Sequence, residues 1–283
     1  MRWQRVWTIG LLMLATPVVG QGSDAVVARG RYIVEIAANC GGCHTPLDAA
    51  HRPIAAQSLA GGRVFAERGF RAVAPNVTSD RTTGIGAWSD AQIAAALRSG
   101  RHRDGRPIGP PMPVDLYRRI NDADVAAIVA YLRTVPAVSH AISERSRYPF
   151  TVATVAPVAY IGASADTAVA RGAYLAGPLA HCTYCHTPIV RDERRDWTRT
   201  GAGGVTFTGP WGAAVSANIT SSRVSGIGAW TDARIIAELT TGRDPDGRLL
   251  APPMSSHAAV WKQLTPGDMV DLIAYVRTLP SAE

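Results

Sequence analysis

The pattern of apolar and polar residues along the chain predicts helices that alternate with long irregular stretches. One segment shows the helical period most clearly, because its apolar residues fall on one helical face: Val125, Ile128, Val129 and Leu132. A first helix is predicted at residues 26–39 and a similar one at residues 168–181. Residues 45–75 and 187–217 hold little periodic pattern, so we expect loops there.

Start and stop signals support these helices. Ser89 with Gln92 three residues later is the signature of a capping box, and Gly100 is placed to end the helix that follows. The last helix of each half stops before a proline, Pro136 in one and Pro280 in the other. The elements therefore predict an all-α fold.

The two halves of the chain repeat one unit at an offset of 142 residues. The matched pairs are Cys40/Cys182, Asn76/Asn218, Gly84/Gly226, Trp88/Trp230 and Met112/Met254. After the methionine the register moves by two residues, so that Tyr131 matches Tyr275. Repetition over a period this long predicts two tandem domains rather than a solenoid. We assign them to residues 23–136 and 167–283, with a linker at 137–166.

The composition is that of a globular chain, with 47% hydrophobic and 18% charged residues. The formal net charge is +7, but the chain has no aromatic-studded basic stripe. We therefore do not expect nucleic acid as a partner. A modest positive charge is suited to docking on an acidic protein or an anionic membrane surface.

Residues 1–22 have the pattern of an export signal, with Arg2 and Arg5 before an apolar run at 6–19 and a small residue, Gly20 or Gly22, at the end. The alternative is an uncleaved membrane anchor. The run of 14 residues is short of the roughly 20 that span a bilayer, and no later stretch is long and apolar enough. We therefore expect cleavage near residues 20–22, a periplasmic location and no transmembrane span in the mature chain.

All cysteines of the chain belong to two Cys-x-x-Cys-His motifs, formed by Cys40, Cys43 and His44 and by Cys182, Cys185 and His186. This motif is the attachment sequence of c-type haem, in which two thiols bond the porphyrin and the histidine binds iron. The alternatives are a zinc site and a redox dithiol. The separation of 142 residues is far outside zinc-ribbon spacing, and a dithiol gives no reason for the histidine. We predict two covalently bound haem c groups.

A methionine follows each motif at the same distance. Met112 and Met254 each lie 68 residues after the motif histidine and directly behind Pro-Pro. A single methionine is usually core filler, but this repetition favours ligation of iron opposite His44 and His186. The remaining histidines form no symmetric pair, and we expect them on the surface or in loops: His51, His102, His140, His181 and His257.

These features resemble the class I cytochrome c family, which has Cys-x-x-Cys-His near a first helix, a distal methionine loop and a terminal helix with an aromatic residue. In that family the first and last helices cross at a glycine and an aromatic residue. Gly30 with Tyr131, and Gly172 with Tyr275, match this pattern. The resemblance implies two tandem class I cytochrome c domains with long haem-wrapping loops.

More narrowly, the chain resembles the cytochrome subunits of membrane-bound alcohol, gluconate and sugar dehydrogenases. Those subunits carry three haem domains, of which this chain matches two. The resemblance implies that Trp88 and Trp230 pack beside haem, with core packing as the alternative. It also implies a polar contact of Asn76 and Asn218 to haem or its loop, with a turn role as the alternative.

The function implied is electron transfer without catalytic residues. Electrons would come one at a time from a periplasmic or membrane-bound dehydrogenase and pass to a cytochrome or terminal oxidase. The alternative is a di-haem peroxidase, which needs one open haem and unequal domains. A gas-sensing haem would also need an open position. Near-equal units with Pro-Pro-Met in both favour the carrier.

Overall fold

The computed structural model describes residues 20–158 and 166–283, which we term the first half and the second half. Most of the predicted signal peptide lies outside the described residues, as does part of the predicted linker. Within the described ranges, none of the helices has the length and apolar character that a membrane span requires.

Helices dominate both halves, as predicted. In the first half they are α1 (Gly20–Arg31), α2 (Gly41–His44), α3 (Asp90–Ser99), α4 (Val114–Tyr117) and α5 (Asp122–Thr134). In the second half they are α6 (Ala168–Tyr174), α7 (Cys182–Cys185), α8 (Asp232–Thr241), α9 (Met254–Trp261) and α10 (Pro266–Val276). Turns of π-helix continue α1 and α6, at Tyr32–Ala37 and Leu175–Leu179. Short 3₁₀ helices lie at Ala55–Gln57 and Trp197–Arg199.

Short antiparallel hairpins occupy parts of the segments for which loops alone were predicted, so that prediction was wrong there. The pairs are β1 (Val64–Glu67) with β2 (Phe70–Val73), β3 (Ile189–Arg191) with β4 (Arg194–Arg195), and β5 (Thr206–Gly209) with β6 (Gly212–Val215). Strands this short carry too few residues for an alternating pattern to stand out. Gly69, in the turn between β1 and β2, supplies the positive φ that such a tight hairpin uses, 84°.

The first and last helices of each half cross at a glycine. A Cβ atom on Gly30 of α1 would lie 1.9 Å from the backbone oxygen of Ala127 in α5. On Gly172 of α6 it would lie 1.8 Å from the backbone of α10. Only glycine permits this approach. Tyr131 and Tyr275 lie beside the two crossings, as predicted. Their Cβ atoms are 2.8 Å from the points that a Cβ atom on Gly30 and on Gly172 would occupy.

Helix ends follow the predicted signals. Ser89 accepts a hydrogen bond from the N–H of Gln92, and the Gln92 side chain accepts one from the N–H of Ser89. This capping box begins α3. Gly100 and Gly242 end α3 and α8 in the left-handed conformation, with φ of 59° and 65°.

One hydrophobic cluster contains buried residues of both halves. Ile33 and Val34 join it from the first half, and Leu175 and Leu272 join it from the second. The helices that precede the two Cys-x-x-Cys-His motifs therefore share a core.

Residues 137–158 run along the first half without helix, and their contacts hold them to it. Tyr148 donates its hydroxyl to the oxygen of Pro110 at 2.9 Å. The N–H of Val155 donates to the oxygen of Ser99 at 3.0 Å. The described part of the predicted linker therefore braces the segment that carries Met112.

Candidate functional site

The first Cys-x-x-Cys-His motif folds as a single helical turn. The N–H of His44 donates to the oxygen of Cys40 at 2.9 Å, so this short turn carries both thiols and the imidazole. Nδ1 of His44 lies 2.9 Å from the oxygen of Pro75. Because a carbonyl oxygen only accepts, Nδ1 carries the hydrogen and Nε2 has its lone pair free for a metal ion.

The second motif repeats this arrangement. The N–H of His186 donates to the oxygen of Cys182 at 3.0 Å, and Nδ1 of His186 lies 2.7 Å from the oxygen of Ala217. Each partner carbonyl lies 31 residues after its histidine. A backbone oxygen on Nδ1 orients the ring and makes Nε2 a better ligand.

The protonation states suit this chemistry. Burial lowers the pKa of His44 and of His186 below the ordinary value, so both imidazoles are neutral at pH 7. Neutral imidazole is the form that binds a metal ion. All four cysteines are free, and burial raises the pKa of the Cys40 and Cys182 thiols to about 12.

Met112 and Met254 are both half-buried and pack against the hydrophobic cluster. Each follows a proline pair with a cis peptide bond, Pro110-Pro111 or Pro252-Pro253. Met254 is the first residue of α9, whereas Met112 lies two residues before α4. Ligation by the two thioethers remains a prediction.

Trp88 and Trp230 are half-buried and pack against the hydrophobic cluster. The Trp88 ring meets His102 edge-on, with centroids 4.7 Å apart. The Arg234 guanidinium lies over the Trp230 ring, 4.1 Å from its centroid. These contacts are with protein groups, and a contact of either indole with haem remains a prediction.

Asn76 and Asn218 organise their own loops. The Asn76 oxygen accepts from the N–H and the hydroxyl of Thr78, while its amide nitrogen donates to Thr83 and to the oxygen of Val138. Asn218 makes four bonds of the same kind within the second half. A side-chain amide can donate two hydrogen bonds and accept two, so these four bonds use all of its donors and acceptors. The loop contact is therefore present, and a contact of either amide with haem remains a prediction.

His181 lies in a loop, as expected, whereas His257 is half-buried in α9. His51 is exposed, and His140 stays within the first half, with Nδ1 2.9 Å from the oxygen of Ala60. His181 and His257 instead contact the first half from the second. Nε2 of His181 lies 3.2 Å from the oxygen of Ala38, and Nδ1 of His257 lies 3.2 Å from the Asn39 amide nitrogen. A sequence feature that could have indicated these contacts is that residues 39 and 181 each directly precede a Cys-x-x-Cys-His motif.

An ion network beside the motifs was also missed. The Arg68 guanidinium donates to both carboxylate oxygens of Glu193, at 2.5 and 2.9 Å. Arg195 is buried, bonds the oxygen of Tyr184 at 2.6 Å and stacks on its ring. Burial raises the pKa of the Cys185 thiol to about 11, Arg195 lowers it and Cys43 raises it.

The donor atoms fit a covalently attached haem. Two thiols on one turn beside a neutral imidazole, followed by a thioether, are the groups that bond porphyrin and iron in c-type cytochromes. Within residues 20–158 and 166–283, no group of three or more His, Cys, Asp or Glu residues is arranged to hold a metal ion.

Comparison with known proteins agrees with this geometry. The cytochrome c family matches residues 27–136. The fructose dehydrogenase cytochrome subunit of Gluconobacter japonicus is 30% identical over 97% of this chain and 58% of its own length. The alcohol dehydrogenase (quinone) cytochrome c subunit of Gluconobacter oxydans is 27% identical over 96% of this chain and 56% of its own length.

A further relative is nearer in size. A di-haem cytochrome c-type protein of Cereibacter sphaeroides is 28% identical over 94% of this chain and 90% of its own length. The chain thus spans little more than half of the two dehydrogenase subunits. Covalently bound haem c is a property of the family that matches residues 27–136. Residues 27–136 are therefore a cytochrome c domain, and the homologues of the chain include dehydrogenase cytochrome c subunits and a di-haem cytochrome c.

Proposed function

We propose that this chain is a di-haem electron-transfer protein that binds one haem c at Cys40, Cys43 and His44 and another at Cys182, Cys185 and His186. The observation that carries the proposal is the paired geometry of the two motifs. In each, one turn presents two thiols, and a backbone carbonyl orients the histidine.

The protein's part is to hold and shield the two groups. When bound, haem supplies an iron that accepts and releases one electron at a time. The thiols would tether the porphyrin, and the backbone oxygens of Pro75 and Ala217 hold the imidazoles with Nε2 free for iron. Met112 and Met254 would each supply a second protein ligand, which would leave no site on iron for a substrate.

The partners are inferred from the relatives. Two of them are named as cytochrome subunits of fructose and alcohol dehydrogenases, which supports a dehydrogenase as donor. We propose a periplasmic or membrane-bound dehydrogenase in that place, with a cytochrome or terminal oxidase as acceptor. The predicted signal at residues 1–22 supports export to the periplasm.

The experiment is to count haem and iron ligands in protein matured in a bacterial periplasm. Pyridine haemochrome should give two haems per chain, and the ferric near-infrared band of thioether ligation should have the strength of two centres. Met112→Ala and Met254→Ala should each remove half of the band. Met269→Leu, in the buried face of α10, is the matched control and should leave the band intact.

Other outcomes would change the function. Absence of haem would refute the proposal. Two haems with half of the band, or a high-spin component in the wild type, would indicate an open iron and favour the di-haem peroxidase.

A further inference from the structure

The methionine-bearing segment of each half contacts the segment before the cysteine motif of the other half. Trp261, at the end of α9, donates its indole N–H to the oxygen of Ala37 at 3.3 Å. In the reverse direction, the ring of Tyr117 in α4 lies edge-on to His181, with centroids 6.3 Å apart. The surroundings of each proposed iron site are therefore partly built by the other half.

The residues directly before the two motifs also touch the opposite half. Asn39 precedes Cys40 and His181 precedes Cys182, and both adopt φ of 45°. His181 reaches the oxygen of Ala38 at 3.2 Å. Non-glycine residues rarely take positive φ. Asn39 and His181 take it at the place where the segments before the two motifs contact each other.

His257 completes the contact. Its Nδ1 lies 3.2 Å from the amide nitrogen of Asn39, so the amide donates and the imidazole accepts. Its ring stacks on Trp261 with centroids 4.6 Å apart and lies 5.8 Å from the ring of His181. We term Asn39, His181, His257 and Trp261 the inter-motif bridge. It joins the attachment turn of one proposed haem to the methionine segment of the other.

The groups of the bridge are in direct contact with one another. They are hydrogen-bonded or stacked, without a charged side chain among them. Burial, together with His181 and Arg63, lowers the pKa of His257 to about 3, so this ring is neutral at pH 7. Neighbouring ion pairs hold the two sides together, with Arg68 of the first half bound to Glu193 of the second.

We infer that Asn39 and His257 are positioning residues: their contact holds the two attachment turns in the arrangement through which the two proposed haem centres would exchange electrons within one molecule. The inference rests on the proposed function. In that exchange one electron would pass from a ferrous centre to a ferric centre. No proton and no ligand is transferred.

The test uses the full-length di-haem protein, half-reduced, with electron exchange followed by flash photolysis and by magnetisation-transfer NMR. In the wild type the exchange rate should not depend on protein concentration. His257→Ala and Asn39→Ala should each slow this intramolecular phase. The double variant should be no slower than the slower single variant, because the two residues act through one contact.

His140→Ala is the matched control, because His140 is also half-buried with one backbone partner but lies within the first half. It should leave the intramolecular phase unchanged. His257→Phe, which keeps an aromatic ring on Trp261, covers the case in which the alanine variant fails to fold. It should retain part of the rate.

Magnetic coupling between the two ferric centres gives a second readout. Electron paramagnetic resonance should detect it in the wild type and show its reduction in the bridge variants, while the near-infrared thioether band stays intact. Exchange that requires molecular collision in the wild type, or equal rates in wild type and bridge variants, would overturn the inference. Failure to bind two haems would instead refute the proposed function.

Discussion

The hydroxyl of Tyr174 in α6 donates to a carboxylate oxygen of Asp124 in α5 at 2.8 Å, which ties the first helix of the second half to the last helix of the first. Tyr32 makes the counterpart bond to Asp268 of α10. Reciprocal bonds of this kind favour a two-fold arrangement of the halves. In that arrangement the cysteine motifs meet near the centre instead of lying at opposite ends.

Tyr174→Phe should lower the free energy of unfolding by about 1–2 kcal/mol, because Asp124 keeps Arg29 but loses one hydrogen bond and the N–H of Asn121 loses its acceptor. Tyr32→Phe should have a similar effect, and chemical denaturation of both variants provides the measurement. Tyr148→Phe loses a hydrogen bond within the first half, so it controls for the loss of a tyrosine hydroxyl that does not join the two halves. Equal midpoints for wild type and both interface variants would argue against the two-fold arrangement.

Gly172→Ala should destabilise the second half by roughly 1–3 kcal/mol, because the added methyl group forces α6 away from α10. Gly267→Ala in exposed helical backbone of α10 has room for a methyl group. It should be neutral or gain up to about 1 kcal/mol. Thermal unfolding of both variants distinguishes the helix crossing from a general effect of glycine replacement. A loss in Gly267→Ala equal to that in Gly172→Ala would contradict this prediction.

Acid should weaken the contact between the halves through His257. Its pKa is lowered to about 3 in the folded chain from an ordinary 6.5, by burial first and then by His181 and Arg63. The unfolded chain therefore binds more protons between these values. The free energy of unfolding should fall as the pH drops from 6.5 toward 3, by at most about 1.4 kcal/mol per pH unit.

Urea unfolding at pH 7 and pH 5 checks this expectation. His257→Gln, which cannot take up a proton in this range, should reduce the difference between the two pH values. His51→Gln, at an exposed position, should not. A pH dependence that is the same in wild type and His257→Gln would show that His257 does not cause it.

Arg68→Ala should cost about 3 kcal/mol, because it leaves the buried Glu193 carboxylate without its two-bond partner. Arg68→Ala combined with Glu193→Gln should recover part of the loss, since residue 193 then carries no charge, but only part, because Glu67 still loses its ion pair with Arg68. Arg248→Ala removes a pair with Asp244 whose arginine is 75% exposed, and it should cost no more than about 1 kcal/mol. Denaturation midpoints that are equal for Arg68→Ala and Arg248→Ala would mean that the buried pair contributes little.

Local features of the fold were predictable because they depend on neighbours in the sequence. The capping box at Ser89 and the end of α3 at Gly100 follow from hydrogen bonds and φ angles within a few residues. The hairpins were not predictable, because strands of two to four residues show no clear period. His257 was placed wrongly, because its polar sequence context suggested the surface or a loop. The contacts of His181 and His257 with the first half were not predictable, because their partners lie 143 and 218 residues away.

The sequence by itself determined the chemistry of this protein: the two Cys-x-x-Cys-His motifs, the methionines behind Pro-Pro and the glycines at the helix crossings. These features are local, and each needs a particular residue type. Only the tertiary structure decided the position of the two Cys-x-x-Cys-His motifs relative to one another. That arrangement depends on contacts such as those of Asn39 with His257 and Arg68 with Glu193. Such contacts join residues far apart in the chain, and folding alone brings them together.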